Sequence, residues 1–332
     1  MKNKVEVFPA INSIEDLRNM IGIKSDYFYK CLYSNEYFYK TVKVPKKRND
    51  GYRELTIPTM ALKSIQRWIL DNILYNFPVH HCAKGFIPGK SIIDNAIPHI
   101  NKKYIAKMDI KNFFPSISLK DVIMLYLNLG YNYKVATALA NLCTYKNQLP
   151  QGSPTSPYIA NLIFFKIDKR IFGFCKKNYL TYTRYADDIT ISGRTNIAFS
   201  IKIINQILNQ NKFELNDKKT KILKPGDRKI ITGIIVNEKL TVPKDFIRNV
   251  KKDIYYIKKF GLASHLNFID FPIENSEYYL DSLYGRISFI KMIDYKLGNM
   301  LQNKLNNFID YSKRREEKYI DLEDIDIKWK KL

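Results

Sequence analysis

Residues 180–192 read Leu-Thr-Tyr-Thr-Arg-Tyr-Ala-Asp-Asp-Ile-Thr-Ile-Ser, so two adjacent aspartates lie between two β-rich segments. The β-branched and aromatic residues predict a hairpin that turns at Ala186 and Asp187. An aspartate pair in a turn is usually a solvated feature. Here the apolar residues on both sides place the acids at the end of a packed sheet. Two crowded carboxylates repel each other unless a cation neutralises them.

A third carboxylate, Asp109, ends a predicted strand over residues 104–110. Oxygen ligands without a neighbouring His or Cys suit Mg²⁺. Three carboxylates from adjacent strands can hold two Mg²⁺ ions about 3.5–4 Å apart, which is the arrangement used for in-line phosphoryl transfer. The sequence therefore predicts that Asp109, Asp187 and Asp188 are the catalytic residues of a nucleotide-polymerising enzyme.

The charge balance agrees with a nucleic-acid substrate. The chain has 332 residues, with 55 Lys and Arg against 32 Asp and Glu, and a formal net charge of +23. Such an excess indicates a polyanionic partner, nucleic acid before an anionic membrane surface. Abundant Lys, Asn, Ile and Tyr are also typical of an A/T-rich genome, so composition alone decides little. The 45% of hydrophobic residues predicts a folded chain.

Several classes of protein are not expected from this sequence. No apolar run reaches the roughly 18 residues of a spanning helix, and the residues after Met1 do not have a signal-peptide pattern. The four cysteines are far apart and form no Cys-x-x-Cys pair, which indicates buried thiols in a reducing compartment rather than a zinc site. We expect a cytoplasmic protein with no membrane partner.

Periodicity predicts the remaining elements of the chain. In chain order they are a hairpin over residues 39–57, a helix over 61–75, helices over about 119–143, one helix after the loop 149–157, a hairpin over 180–192, a helix over 201–210, and a hairpin over 229–242 that turns at 237–239. Ser118 and Asp121 form a predicted helix cap. From residue 243 onwards the pattern is helical and rich in lysine, so we place a domain boundary there.

Three motifs together resemble those of reverse transcriptases. They are Asp109 followed by Phe113-Phe114-Pro115, Leu-Pro-Gln-Gly-Ser-Pro at residues 149–154, and Tyr-Ala-Asp-Asp at residues 185–188. Their order and spacing also match that family. The resemblance covers residues 43–242, and more weakly the C-terminal region.

Within the group II intron-like superfamily, the chain is most similar to bacterial retron reverse transcriptases. Residues 95–99 fit the retron motif Asn-Ala-x-x-His, and residues 231–233 read Ile-Thr-Gly where the family has Val-Thr-Gly. Each short motif is weak alone, since Asn95 and His99 could simply cap and pack a helix.

The resemblance implies an α+β right-hand polymerase fold with fingers, an antiparallel-sheet palm and a helical thumb. The corresponding regions are the N-terminal region and fingers over 1–100, the palm over 101–242 with inserted fingers helices over about 119–148, and a basic thumb with a charged tail over 243–332.

The resemblance also implies roles for individual residues. The carbonyl of Ile110 is expected to join Asp109, Asp187 and Asp188 in holding two Mg²⁺ ions. Contacts with the incoming dNTP are expected from Lys46, Arg53, Phe114, Gln151, Gly152 and Lys219.

The chemistry of these residues fits the expected roles. A bulky Phe114 would exclude a ribose 2′-OH by its size and so select deoxynucleotides. Gln151 and Gly152 would line the floor beneath the incoming base pair, and Lys219 would lie near the leaving phosphate. Lys46 and Arg53 would clamp the triphosphate, although a solvated basic hairpin is an open alternative for this pair.

Contacts with the RNA template and primer are expected at the retron motifs and along one basic, aromatic segment. These residues are Asn95, His99, Thr232, Gly233, Arg248, Lys251, Lys252, Tyr255, Lys258 and Lys259. At helical spacing, the basic set would follow a nucleic-acid backbone. A solvated lysine face over a tyrosine-containing core is the alternative for any single residue.

The implied reaction is RNA-directed DNA synthesis from dNTPs. For a retron enzyme, the template would be a structured noncoding RNA of the msr-msd type, primed from an internal guanosine 2′-OH to give branched RNA–DNA (msDNA). An effector protein and a role in anti-phage defence would follow. The alternatives are another bacterial reverse transcriptase, of the diversity-generating or abortive-infection type, and a catalytically idle RNA-binding scaffold with a polymerase fold.

Overall fold

The computed structural model describes residues 9–45 and 51–309, and it divides the chain into two units with the boundary after Thr232. Helices combine with antiparallel sheets, so the α+β class is confirmed. Each unit has a hydrophobic core of its own. The boundary falls before residue 243, where the lysine-rich pattern begins. The assignment of fingers, palm and thumb to residue ranges stays a prediction.

The first unit begins with two helices and a β-hairpin. Its elements are α1 (Ile14–Ile21), α2 (Ser25–Tyr33), β1 (Tyr39–Pro45) and β2 (Tyr52–Pro58). β1 and β2 are antiparallel, as predicted, and Tyr39 pairs with Pro58. The helices that follow are α3 (Met60–Asn72) and the short α4 (Ile92–Ala96).

A four-stranded antiparallel sheet carries the aspartates. Its strands are β3 (Tyr104–Asp109), β4 (Thr181–Tyr185), β5 (Asp188–Gly193) and β6 (Lys221–Leu223), in the order β4-β5-β3-β6. The register of β3 on β5 pairs Tyr104 with Gly193 at one end and Asp109 with Asp188 at the other. The predicted hairpin over residues 180–192 and the predicted strand over 104–110 are both confirmed.

Five further helices complete the first unit. They are α5 (Leu119–Asn128), α6 (Tyr133–Cys143), α7 (Ser156–Ile163), α8 (Phe165–Lys177) and α9 (Ala198–Asn209). The cap of α5 is confirmed, because Ser118 Oγ accepts from the Asp121 amide and the Asp121 carboxylate accepts from the Ser118 amide.

The single helix predicted after residue 157 is wrong, because α7 ends before Phe164 and α8 begins after it. Phe164 has φ −74° and ψ −6°, which departs from regular helix geometry. Its ring is fully buried and packs against Phe113 and Phe213. The interruption therefore coincides with the burial of a large aromatic side chain.

The hairpin predicted over residues 229–242 is confirmed at its turn, because the backbones of Ile235 and Thr241 pair in antiparallel fashion across residues 237–239. The single strand predicted before that turn is wrong. The structure has two very short strands there, β7 (Ile230–Ile231) and β8 (Ile234–Ile235), with a further turn at Thr232 and Gly233. Both turn residues have positive φ, 44° and 86°, as a tight hairpin turn requires. Thr232 is unusual in this conformation, which is why its turn was missed.

The second unit is helical after β8. Its helices are α10 (Lys244–Phe260), α11 (Leu262–Phe268), α12 (Ser276–Ile293) and α13 (Tyr295–Asn306). Apolar residues of α10, α12 and α13 form its core. In the described ranges, no helix combines the length and the apolar character that crossing a bilayer needs.

Candidate active site

The structure brings Asp109, Asp187 and Asp188 together at one end of the four-stranded sheet. Asp109 is paired with Asp188 across the ladder, and paired residues in antiparallel strands lie about 4.5–5.5 Å apart at Cα. The amide of Ile110 donates to the Asp187 carbonyl oxygen at 2.9 Å. Residues separated by more than seventy positions in the chain thus form one carboxylate cluster.

The turn between β4 and β5 presents the aspartate pair. Ala186 has φ 54°, a left-handed conformation that is uncommon for a residue with a side chain. The backbone therefore reverses its direction between Tyr185, the last residue of β4, and Asp188, the first residue of β5. The bond between Ile110 and Asp187 holds this turn next to the end of β3. Ile110 itself is buried.

Burial and the neighbouring negative charges raise the pKa values of two of the three carboxylates. Burial, and then the neighbouring Asp188 and Asp109, raise the pKa of Asp187 to about 6. Burial likewise raises the pKa of Asp188, with Asp109 adding to the effect and Lys107 opposing it. The pKa of Lys107 is lowered by its own burial. Each raised pKa reports a carboxylate whose charge is costly in the absence of a cation.

Lys219 and Asn216 hold the third carboxylate. Lys219 Nζ lies 3.0 and 2.9 Å from the two carboxylate oxygens of Asp109. Asn216 Nδ2 donates to the Asp109 carboxylate at 3.4 Å, and the Asn216 backbone amide donates to the Asp109 main-chain carbonyl oxygen at 2.8 Å. Lys219 was predicted to lie near a leaving phosphate, and the structure places its ammonium group at the carboxylate cluster.

The donor set fits divalent cations. Carboxylate oxygens are the ligands that Mg²⁺ prefers, and a cation would offset the burial and the repulsion that raise the pKa values of Asp187 and Asp188. The ammonium of Lys219 already supplies one positive charge at Asp109. The residues present therefore fit the metal that the sequence predicts, which Asp109, Asp187 and Asp188 would hold.

Phe114, Gln151 and Gly152 line one cavity of about 650 Å³. Tyr185, which precedes the turn, lines it as well. Phe113 does not, because its ring is buried against those of Phe114, Phe164 and Phe213. Phe114 therefore faces an open cavity, whereas Phe113 belongs to the hydrophobic core.

The loop at residues 149–157 is fastened to β2. The Thr56 amide donates to the Gln151 carbonyl oxygen at 2.8 Å. Gly152 has φ 136°, and a Cβ there would lie 2.8 Å from the Thr56 carbonyl oxygen. Glycine is therefore required at this position by the close approach of a strand. Ser153 adds a buried bond to Gln66 at 2.8 Å.

Two of the residues predicted to contact RNA at the retron motifs, Asn95 and His99, are buried. His99 is 0% exposed, and its two ring nitrogens lie 2.7 Å from Ser192 Oγ and 2.9 Å from Thr183 Oγ1. Asn95 is buried as well. Direct RNA contact does not fit this placement, since both side chains lie inside the protein. The Thr232 hydroxyl bonds to the Ile92 carbonyl oxygen at 3.2 Å, and Gly233 is exposed beside it.

The predicted basic stripe lies on α10. All six of its residues are exposed, while Val250, Ile254 and Ile257 of the same helix are buried. They are Arg248, Lys251, Lys252, Tyr255, Lys258 and Lys259. Their contact with RNA stays a prediction. Of the residues predicted to clamp the triphosphate, Lys46 and the side chain of Arg53 lie outside the described residues.

Sequence reasoning missed several groups around the cluster, the 149–157 loop and the cavity. Lys107 shares a strand face with Asp109, two residues away, and that spacing was a usable signal. Asn216 and Gln66 had no such signal, because their partners are distant in the chain. Arg67 and Lys90 also line the cavity beside Gln151.

Comparison with known proteins identifies the family. Residues 44–252 match the family described as reverse transcriptase (RNA-dependent DNA polymerase). The retron Ec86 reverse transcriptase of Escherichia coli is 31% identical over 315 residues, which cover 94% of this chain and 92% of that protein. The chain belongs to the retron reverse transcriptases.

Two further similarities extend the comparison. The retron Mx65 reverse transcriptase of Myxococcus xanthus is 35% identical over 227 residues, 62% of this chain, and the chain spans about half (53%) of that protein. Among solved structures, a telomerase from Candida albicans in complex with a fragment of telomeric RNA aligns with a TM-score of 0.49 and 11% identity. That alignment covers 82% of this chain and 56% of the telomerase.

Family membership confirms the predicted activity and fold class. Reverse transcriptases are divalent-metal-dependent polymerases that copy an RNA template with dNTPs, and this chain is one of them. The right-hand polymerase fold predicted from the motifs is the fold of this family. The retron relatives also settle the choice among bacterial reverse transcriptases in favour of the retron type.

The raised pKa of Asp187 predicts a pH-dependent stability of the metal-free enzyme. The unfolded carboxyl has a pKa of about 3.9, whereas the folded value is about 6. Stabilisation by the bound proton is thus complete below about pH 4 and lost as pH rises through about 6. With EDTA present, Asp187→Asn should be more stable than wild type at pH 7.5 by about 1–2 kcal/mol, and equally stable near pH 4. Urea denaturation at both pH values measures this.

Asp217→Asn is the matched control, because Asp217 is exposed. It should follow wild type at both pH values. A stability difference between Asp187→Asn and wild type that does not change with pH would contradict the electrostatic description of the cluster.

The bond between the 149–157 loop and β2 predicts that a methyl group at Gly152 lowers the activity of the enzyme. Gly152→Ala should displace the loop from β2, because the new Cβ would meet the Thr56 carbonyl oxygen and φ 136° disfavours a side chain. We expect kcat/KM for dNTP to fall about tenfold, equivalent to about 1.4 kcal/mol. Primer extension on an RNA template measures it. Gly173→Ala is the control, since no atom lies within 4 Å of its added Cβ, and equal activity of the two variants would refute the effect.

Proposed function

We propose that this reverse transcriptase copies a structured noncoding RNA of the msr-msd type into msDNA. Asp109, Asp187 and Asp188 hold two Mg²⁺ ions, joined by the carbonyl of Ile110. The observation that carries the proposal is the register that pairs Asp109 with Asp188 beside the Asp187 turn. A bound pair of divalent ions would activate the attacking hydroxyl and neutralise the charge of the triphosphate and the pyrophosphate.

Other residues of the chain bind and select the incoming nucleotide. Phe114, Gln151 and Gly152 line the cavity that receives the incoming dNTP, and Phe114 excludes a ribose 2′-OH. Lys219 carries a positive charge into the cluster, next to the position of the triphosphate. Lys46 and Arg53 clamp the triphosphate.

The template and its complex belong to the same proposal. Synthesis is primed from an internal guanosine 2′-OH of the RNA, which gives a branched RNA–DNA product. The exposed cations of α10 contact the phosphate backbone. The RNA–DNA complex holds an effector protein in check as part of an anti-phage defence system. Membership among the retron reverse transcriptases supports these statements.

The test uses the enzyme purified together with the nucleic acid made from its own locus. The wild-type protein should carry RNA joined to DNA through a 2′–5′ branch, which sequencing and debranching identify. Asp187→Asn combined with Asp188→Asn should carry the same RNA without DNA, because the metal ligands are lost while the basic surfaces remain.

The charge-matched control is Asp71→Asn combined with Asp270→Asn, which changes two exposed aspartates away from the cluster. It should yield msDNA as the wild type does. DNA attached to the Asp187→Asn, Asp188→Asn protein would overturn the metal assignment. Wild-type protein that carries DNA without a branch would overturn the priming mechanism.

The placement of Phe114 predicts a change in sugar selection. Phe114→Ala should admit ribonucleotides, since the ring that narrows the cavity is removed. We expect the ratio of kcat/KM for dNTP to that for rNTP to fall about tenfold or more. Phe199→Ala, at a half-exposed ring on α9, is the control and should keep the wild-type ratio. An unchanged ratio in Phe114→Ala would exclude Phe114 as the gate.

A further inference from the structure

An ion pair lies fully buried behind the catalytic turn. Arg184 and Asp168 are both 0% exposed, and Arg184 donates from Nε and Nη2 to the two carboxylate oxygens at 2.9 and 2.6 Å. The Tyr182 hydroxyl donates to Asp168 as well, at 2.6 Å. This bidentate geometry satisfies the charges of both partners.

The same guanidinium reaches the catalytic turn. Arg184 Nη1 donates to the Ala186 carbonyl oxygen and to Asn161 Oδ1, both at 3.0 Å. Ala186 is the residue with φ 54° that precedes Asp187. Arg184 therefore contacts the one residue whose unusual conformation directs the aspartate pair.

A second segment braces the turn through this network. Asn161 Nδ2 donates to the Gly85 carbonyl oxygen at 2.9 Å, and the Lys84 amide donates to the Arg184 carbonyl oxygen at 2.8 Å. A Cβ on Gly85 would lie 3.0 Å from the Ala186 amide nitrogen. The segment that contains Lys84 and Gly85 thus packs closely against the turn at Ala186.

The guanidinium also contacts the aromatic residues behind the sugar-selecting ring. Its central carbon lies 4.5 Å from the Phe164 ring centroid and 5.8 Å from that of Phe113. The Phe113 ring lies 5.3 Å from that of Phe114. One buried cation therefore connects the turn that bears the metal ligands with the support of Phe114.

Stability alone does not explain this arrangement. Buried ion pairs can often be replaced by apolar residues at no loss of stability, because desolvation offsets their attraction. Arginine is specifically suited to bonding a carboxylate, an amide oxygen and a carbonyl oxygen at once, because its donors form a rigid fork. A lysine ammonium could retain the charge at Asp168 but not the whole fork.

We propose that Arg184, oriented by Asp168 and Asn161, is a positioning residue that fixes the Ala186 turn and thereby the placement of Asp187 and Asp188 for metal binding. The inference rests on the metal-binding role in the proposed function. It adds a buried support that acts through the backbone and touches neither substrate nor metal.

The test compares Arg184→Lys with Tyr182→Phe. Both alter the buried ion pair, but only the first removes the bonds to Ala186 and Asn161. Arg184→Lys should bind Mn²⁺ about tenfold more weakly, as titrated by electron paramagnetic resonance without nucleotide. Its kcat in primer extension should fall about 10- to 100-fold, with KM for dNTP and affinity for RNA unchanged. Tyr182→Phe should lower the melting temperature while leaving Mn²⁺ affinity and kcat at wild-type values.

Asn161→Ala provides a second variant if Arg184→Lys does not fold, because it keeps the ion pair and removes only the brace. It should show the same pattern with smaller changes. Wild-type Mn²⁺ affinity and kcat in folded Arg184→Lys or Asn161→Ala would overturn the inference, as would equal losses in Tyr182→Phe. Failure of the metal assignment is distinguishable, since wild-type protein would then bind Mn²⁺ no better than Asp187→Asn combined with Asp188→Asn.

Discussion

Mutual repulsion among three carboxylates is the constraint around which this structure is arranged. Asp109, Asp187 and Asp188 are brought together by backbone pairing that leaves them little freedom to separate. Lys219 bonds to one of them and Lys107 lies beside another, so that part of the repulsion is offset before any metal binds. Burial, together with the repulsion that remains, raises the pKa values of Asp187 and Asp188. A divalent cation would convert this cost of ionisation into binding free energy.

Strand register decides whether the cluster exists at all. Side chains alternate between the two faces of a strand, so a slip of one residue would move every side chain of β3 to the other face. The ladder pairs Asp109 with Asp188 and ends at Tyr104 opposite Gly193. Lys107 follows the same alternation and reaches the Ile230 carbonyl oxygen at 3.1 Å. The geometry of the site is therefore set by the whole ladder and not by the aspartates alone.

The sequence predicted the elements whose signals are local. Residues 180–192 carry both strands and the turn of one hairpin, and Asp109 ends a strand of regular pattern. The turn at Thr232 and Gly233 was not predicted, because a non-glycine residue with positive φ has no reliable signature. The bond between Lys219 and Asp109 joins positions that only tertiary packing brings together. Local chemistry predicted the carboxylates that come together, while the groups that neutralise them required the structure.

The retron motif has an architectural role in this fold. Burial lowers the pKa of His99 to about 3, so its neutral ring can accept one hydrogen bond and donate another. Its partners are Thr183 on β4 and Ser192 on β5, the two strands of the hairpin that carries Asp187 and Asp188. Arg184 holds the same hairpin at the turn, through Ala186. Buried polar contacts thus hold both the strands and the turn of the hairpin, which keeps the aspartate pair fixed.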